Sequence, residues 1–154
     1  MEVRRLEFQK QLKRFKRIAV DSAPLIYHLE DTLPYSELTE DLFHHIALGA
    51  TEVLVSTISA GELLVKPFMD ADNDAVATFE TFVLSIPSAQ LIAPSYTIAK
   101  EAARLRARHR LRMPDALVLA TASDMQCEAL ITNDLQFRRI PKLQVEIVAL
   151  EDYL

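Results

Sequence analysis

Apolar residues along this chain fall into two rhythms. Ile18-Ala19-Val20, Val53-Leu54-Val55-Ser56-Thr57-Ile58 and Leu130-Ile131 are short runs rich in β-branched residues, which suit a pleated surface. Between them the spacing is helical: Leu38, Leu42, Phe43 and Ile46 fall on one face, as do Val76, Phe79, Val83 and Leu84. The pattern predicts a strand at 17–21, then a helix at 24–30 with Pro24 in its first turn. A break at Leu33-Pro34-Tyr35 precedes a second helix, capped by Ser36 and ended at Gly49. A strand at 53–58 leads to a third helix at 60–66, stopped by Pro67. Asp72 or Asn73 caps a fourth helix, which ends before Pro87. A strand at 90–93, helices at 95–110 and 114–125, and strands at 129–132 and 145–148 complete the chain.

This alternation argues for one α/β domain, a three-layer arrangement with a central, mostly parallel sheet flanked by helices. The domain is expected to occupy residues 17–154. Residues 1–16 read as a basic appendage, a solvated helix or frayed arm.

The net charge of −5 hides a division. Residues 1–17 hold seven basic and two acidic side chains, and the remainder ten basic and twenty acidic. An acidic body is a poor bulk binder of nucleic acid, although local basic patches still steer a phosphate chain. A lone cysteine, Cys127, excludes an intramolecular disulfide and matches no zinc spacing, so it reads as a small buried hydrophobe. No apolar run is long enough to span a bilayer, and a cytoplasmic location is the default expectation.

The candidate chemistry lies in acids placed where strands end or helices begin: Asp21, Glu62, Asp115 and Asp134. In an open parallel sheet the carboxyl ends of the strands share one edge, and ligands bind in the crevice there. Each acid alone has a structural explanation. Ser59 and Glu62 fit a capping box, Asp115 suits a helix dipole, Asp21 can cap the following helix, and Asn133-Asp134 can form a turn. Their expected convergence argues otherwise, because two carboxylates about 4 Å apart repel by roughly 4 kcal/mol at an effective dielectric of 20. An oxygen-only cluster selects Mg²⁺ or Mn²⁺ over zinc or copper. Such a site suits phosphodiester hydrolysis, since the ion activates water and neutralises phosphate charge.

The segments around the acids run in order: Asp21-Ser22-Ala23-Pro24-Leu25-Ile26-Tyr27, Ser56-Thr57-Ile58-Ser59-Ala60-Gly61-Glu62-Leu63-Leu64, Met113-Pro114-Asp115-Ala116-Leu117-Val118-Leu119-Ala120-Thr121-Ala122 and Leu130-Ile131-Thr132-Asn133-Asp134-Leu135-Gln136-Phe137. This ordered set resembles the PIN-domain nucleases, particularly the VapC-like toxins of type II toxin–antitoxin pairs, over residues 17–150. The resemblance implies a PIN fold and a metal-dependent endoribonuclease. It places the acidic ligands at Asp21, Glu62, Asp115 and Asp134, with Ser22 and Thr132 as supporting hydroxyls. It also implies an RNA substrate, a small antitoxin partner that occludes the cleft, and a homodimer, for which Phe79, Phe82 and Val83 offer an apolar face.

Arg104, Arg106, Arg108, Arg110 and Arg112 alternate toward Asp115, and Arg138 follows Asp134. They are candidates for RNA phosphate contact, set against the simpler reading of a solvated, ion-paired face. His28, His44 and His45 read as packing or surface residues, and Tyr27 and Phe137 as core or rim. Two rival functions remain: a non-catalytic PIN-like domain that binds through its acidic pocket, and a phosphoryl-receiving domain. The latter lacks the adjacent early acids and late lysine it requires. With only Gly49 and Gly61, a glycine-rich phosphate loop is excluded.

Overall fold

The computed structural model describes residues 2–154. Its centre is a five-stranded sheet of β1 (Arg17–Val20), β2 (Glu52–Ser56), β3 (Ala89–Ile92), β4 (Ala129–Thr132) and β5 (Glu146–Ala149), in the order β3-β2-β1-β4-β5. Every pairing is parallel. The chain steps outward from β1 through β2 to β3, then returns to place β4 on the other side of β1. The switch of direction thus lies between β1 and β4, where an open sheet leaves its ligand crevice.

Successive strand residues face opposite layers. Ile18, Val20, Val53, Val55, Ala129 and Ile131 pack into one buried cluster, while Ala19, Leu54 and Leu130 enter the other. On the first face lie α2 (Ser22–Leu29), α3 (Ser36–Ala47), α4 (Thr57–Met69) and α5 (Asn73–Ser85), which contribute Leu25, Leu38, Leu42, Ile46, Leu63 and Val83. On the second lie α6 (Tyr96–His109) and α7 (Met113–Asp124), contributing Ile98, Ala102, Leu105, Ala116 and Leu119. The expected three-layer α/β architecture is therefore the observed one. Among the described residues no helix is long and apolar enough to cross a membrane.

Local departures have identifiable causes. The third expected helix begins earlier, because Ser56 at the end of β2 accepts a bond from Ile58 N at 3.2 Å and starts α4 at Thr57. It also runs past Pro67 to Met69. Pro67 lies near the helix end, and removing one N–H there does not prevent the final turn from closing through Asp70 N to Lys66 O at 2.9 Å. Ser36 is a buried first residue of α3, whereas Tyr35 occupies the cap position without a side-chain bond. Gly49 sits at φ +80, the left-handed geometry that lets the chain reverse after α3.

The basic N-terminal segment is not a free arm. It forms α1 (Glu2–Leu12), whose Phe8 and Leu12 are 0% and 1% exposed, with Phe15 buried beyond it. These three join the same cluster as β1, α2 and α3. Phe8 lies 5.1 Å from the ring of Tyr153, in a terminal 3₁₀ turn at Leu150–Tyr153. Arg5 grips Asp41 of α3 through Nε at 2.5 Å and Nη2 at 3.0 Å.

The apolar face assigned to α5 is also turned inward in part. Val83 is buried, and Phe82 packs edge-on against Phe43 at 5.2 Å. The apolar side chains that do face outward here are Val65, Phe68 and Met69 of α4 and Leu84 of α5.

Candidate metal centre at the carboxyl edge of the sheet

Asp21 follows the last residue of β1, and its backbone N–H donates to Ile131 O at 2.9 Å, extending the β1–β4 ladder by one step. Its φ of −78 and ψ of 171 place it as the cap of α2, where Oδ1 accepts from Ser22 N at 2.7 Å. The other oxygen, Oδ2, accepts from the Thr132 hydroxyl at 2.7 Å. Thr132 in turn accepts from Asp134 N at 3.0 Å. The buried Ser22 hydroxyl donates to Glu62 Oε2 at 2.8 Å. One chain of bonds therefore links the ends of β1 and β4 with α4.

Glu62 reaches this network from the second turn of α4. The expected capping box with Ser59 is absent, and Ser59 Oγ is instead fully buried with no hydrogen-bond partner. Asp115 enters from the other layer, in the first turn of α7, which contacts α4. Asp134 caps a short 3₁₀ turn at Leu135–Arg139, accepting from Gln136 N at 3.1 Å.

The acids act on one another through charge. The Asp21 carboxyl is pushed above the ordinary carboxylate range, chiefly by burial. Bonds from Thr132 and Ser22 oppose that shift, and the charges of Glu62 and Asp115 add to it. Arg112 donates from Nε to Asp115 Oδ2 at 3.1 Å, and the nearby charges of Glu62 and Asp134 further raise its proton affinity.

Among the described residues no three His, Cys, Asp or Glu side chains stand close enough together to enclose an ion as they are turned. The reason is visible in their partners: Glu62 leans to Ser22, Asp115 to Arg112, and Asp134 to its own turn. The donor set nevertheless fits a hard divalent cation. It offers only carboxylate oxygens, and two buried hydroxyls orient them from below.

The basic candidates divide. Arg104 pairs with Glu101, Arg112 with Asp115, and Arg138 with Asp152. Arg106, Arg108 and Arg110 are exposed and make no ion pair among the described residues. Arg110 is the left-handed cap of α6 at φ 56, which turns the chain toward α7.

A neighbouring group escaped the sequence reading. Asn133, between Thr132 and Asp134, accepts from Glu151 N at 2.9 Å and approaches the Tyr27 hydroxyl at 3.4 Å. Tyr27 stacks on Tyr35 with centroids 4.5 Å apart. No local motif announces this contact, because it joins residues 18 and 106 positions apart. Of the other readings, Phe137 is core, and Cys127 is a buried free thiol pushed up to about 12 by desolvation.

The sequence profile of the PIN domain matches residues 18–143, so α1 precedes the matched part. A comparison with curated proteins returns no match. Among solved structures, the chain is similar to one in VapBC2 from Rickettsia felis bound to a DNA fragment from their promoter. That likeness has a TM-score of 0.66 at 17% identity, over 86% of this chain and 98% of the other. A toxin–antitoxin complex from Klebsiella pneumoniae gives 0.60 at 25% identity, over 84% and 99%. FitAcB from Neisseria gonorrhoeae gives 0.66 at 15% identity, over 87% and 98%.

Proposed function

The chain belongs to the PIN domain family, and on that premise we propose that it is a metal-dependent endoribonuclease, the toxin of a toxin–antitoxin pair. The observation that carries this reading is the linked set Asp134–Thr132–Asp21–Ser22–Glu62, with Asp115 facing it across the edge of the sheet. Asp21, Glu62, Asp115 and Asp134 are the groups that would hold Mg²⁺ or Mn²⁺. When bound, the ion supplies Lewis acidity toward water and the scissile phosphate. The protein's own part is positional. Thr132 and Ser22 donate their hydroxyl protons to Asp21 and Glu62, which fixes how these two carboxylates stand at the crevice. Exposed Arg106, Arg108 and Arg110 supply positive charge for an RNA backbone.

Two partners belong to the same reading. The complexes named for the similar structures support a small antitoxin that covers the cleft. A homodimer is supported by the outward apolar residues Val65, Phe68, Met69 and Leu84. Light scattering that finds only monomer at micromolar concentrations refutes the dimer.

The activity is tested by incubating RNA with purified protein plus Mg²⁺, Mn²⁺ or EDTA, and reading the ends by mass spectrometry. Water as nucleophile with the 3′-oxygen leaving gives 5′-phosphate and 3′-hydroxyl ends. Cleavage that survives EDTA and Asp115→Asn, or leaves cyclic 2′,3′-phosphate, overturns the assignment. Metal binding without cleavage of any RNA returns the chain to the non-catalytic reading.

A further inference from the structure

Arg112 precedes α7, and its side chain is 77% exposed, yet its guanidinium folds onto Asp115. Nε lies 3.1 Å from Asp115 Oδ2 and Nη2 lies 3.5 Å from Oδ1, so both oxygens of this acid face one cation. Asp115 itself is only 13% exposed, which leaves few other donors within its reach. The same guanidinium also feels Glu62 and Asp134. A single side chain thereby offsets the charge of Asp115 by direct contact, with Glu62 and Asp134 acting on it only from further away.

Another ion pair in the chain supplies the contrast. Arg104 and Glu101 have the same three-residue spacing, but among the described residues no acid other than Glu101 acts on Arg104. That is an ordinary pair along one helix. Arg112 instead stands at the entrance of α7 and holds an acid of the proposed metal set. Two cations drawn to the same pair of carboxylate oxygens repel each other, and a guanidinium on an exposed stem is the easier of the two to move.

We infer that Arg112 is a displaceable internal counter-ion, which holds Asp115 while the site lacks metal and competes with the divalent cation for that carboxylate. This rests on the metal reading proposed above. Arg112 keeps the acids compatible with one another before the ion arrives, then swings outward when it binds. The competition also explains why Asp115 is turned to its own arginine rather than to the other acids.

The test is calorimetric titration of Mn²⁺ into the wild type, Arg112→Gln, Arg104→Gln and Asp115→Asn, with thermal melts of each in EDTA. Exposed ion pairs are weak, so Arg112→Gln is expected to bind Mn²⁺ about 1.5- to fivefold more tightly than wild type. Its melting midpoint in EDTA falls, and its gain on adding Mn²⁺ is larger. Arg104→Gln matches wild type in affinity, and Asp115→Asn loses it. Equal or weaker binding by Arg112→Gln, beside measurable wild-type binding, overturns the competition. An equal gain in Arg104→Gln also overturns it, because net charge alone then suffices. If no protein in the set binds Mn²⁺, the metal reading itself fails and the counter-ion role fails with it.

Discussion

Replacing Phe8 by alanine measures how firmly the basic N-terminal helix belongs to the domain. The Phe8 ring is 0% exposed, stands against Tyr153 and joins the cluster that includes Leu42, Ile46 and Val20. Truncating a fully buried phenylalanine costs about 3–5 kcal/mol, part from lost burial and part from the cavity left behind. Domains of this size are stabilised by only about 5–15 kcal/mol, so the loss is a large fraction of the total. At about 2–4 °C per kcal/mol, the melting midpoint should drop by roughly 6–20 °C. Urea titration should show a lower midpoint with an unchanged slope, as expected when stability changes and the unfolded chain does not. Val3, 70% exposed on the same helix, provides the control: Val3→Ala should stay within about 0.5 kcal/mol of wild type. A Phe8→Ala protein that melts within 2 °C of wild type, in a roughly calibrated scan, would refute the docked helix and restore the free arm.

Other outcomes follow from the site and its surroundings. Asp21 binds a proton more tightly in the folded chain than in the unfolded one. Its contribution to stability is present at low pH and is lost as pH rises through the raised folded value; Asp21→Asn should therefore raise the melting temperature at pH 7 in EDTA while abolishing cleavage. A lower melting temperature for this variant would contradict the repulsion. His28, desolvated between Phe43 and Phe82, has a lowered proton affinity. Stability from this group is complete above its ordinary value of 6.5 and declines as pH falls toward the folded value, so His28→Gln should flatten the urea midpoint between pH 7.5 and 5.5. Joint replacement of Arg106 and Arg110 by alanine should weaken RNA binding across sequences and lower its log–log salt slope by about 0.7 per lost contact. An unchanged slope returns these residues to a solvated face.

The sheet and its acidic edge were legible because the signals are local. Ile18-Ala19-Val20 and Leu130-Ile131 are apolar at every position, as strands covered on both faces must be, and Asp21 directly follows the first run. A helix at the basic N-terminus was within the expectation, but its docking was not: the dense charge masks Phe8, Leu12 and Phe15, whose spacing of four and then three is a helical stripe. Glu62 takes its bond from Ser22, 40 positions away in sequence, rather than from the local capping box that Ser59 suggests. Ser56 and Ser59 are both plausible caps by composition, and only the end of β2 decides between them. The Arg112–Asp115 pair was hidden inside a run of similar arginines. Sequence spacing gives the two residues adjacency, but it does not say that the guanidinium turns toward the sheet edge.

The bond from Thr132 to Asp21 has a direction as well as a length. A hydroxyl carries one proton, and here it points at Asp21 Oδ2 while the oxygen receives the peptide N–H of Asp134. Donation in that sense is strongest toward an ionised carboxylate, so the bond favours the charged form of an acid that burial, the larger influence, drives toward protonation. The threonine thus works as a one-way valve on charge: it holds the negative state of Asp21 in reserve and ties it to the backbone position of Asp134. Thr132→Ser keeps the valve, whereas Thr132→Val fills nearly the same space and leaves both neighbours without it.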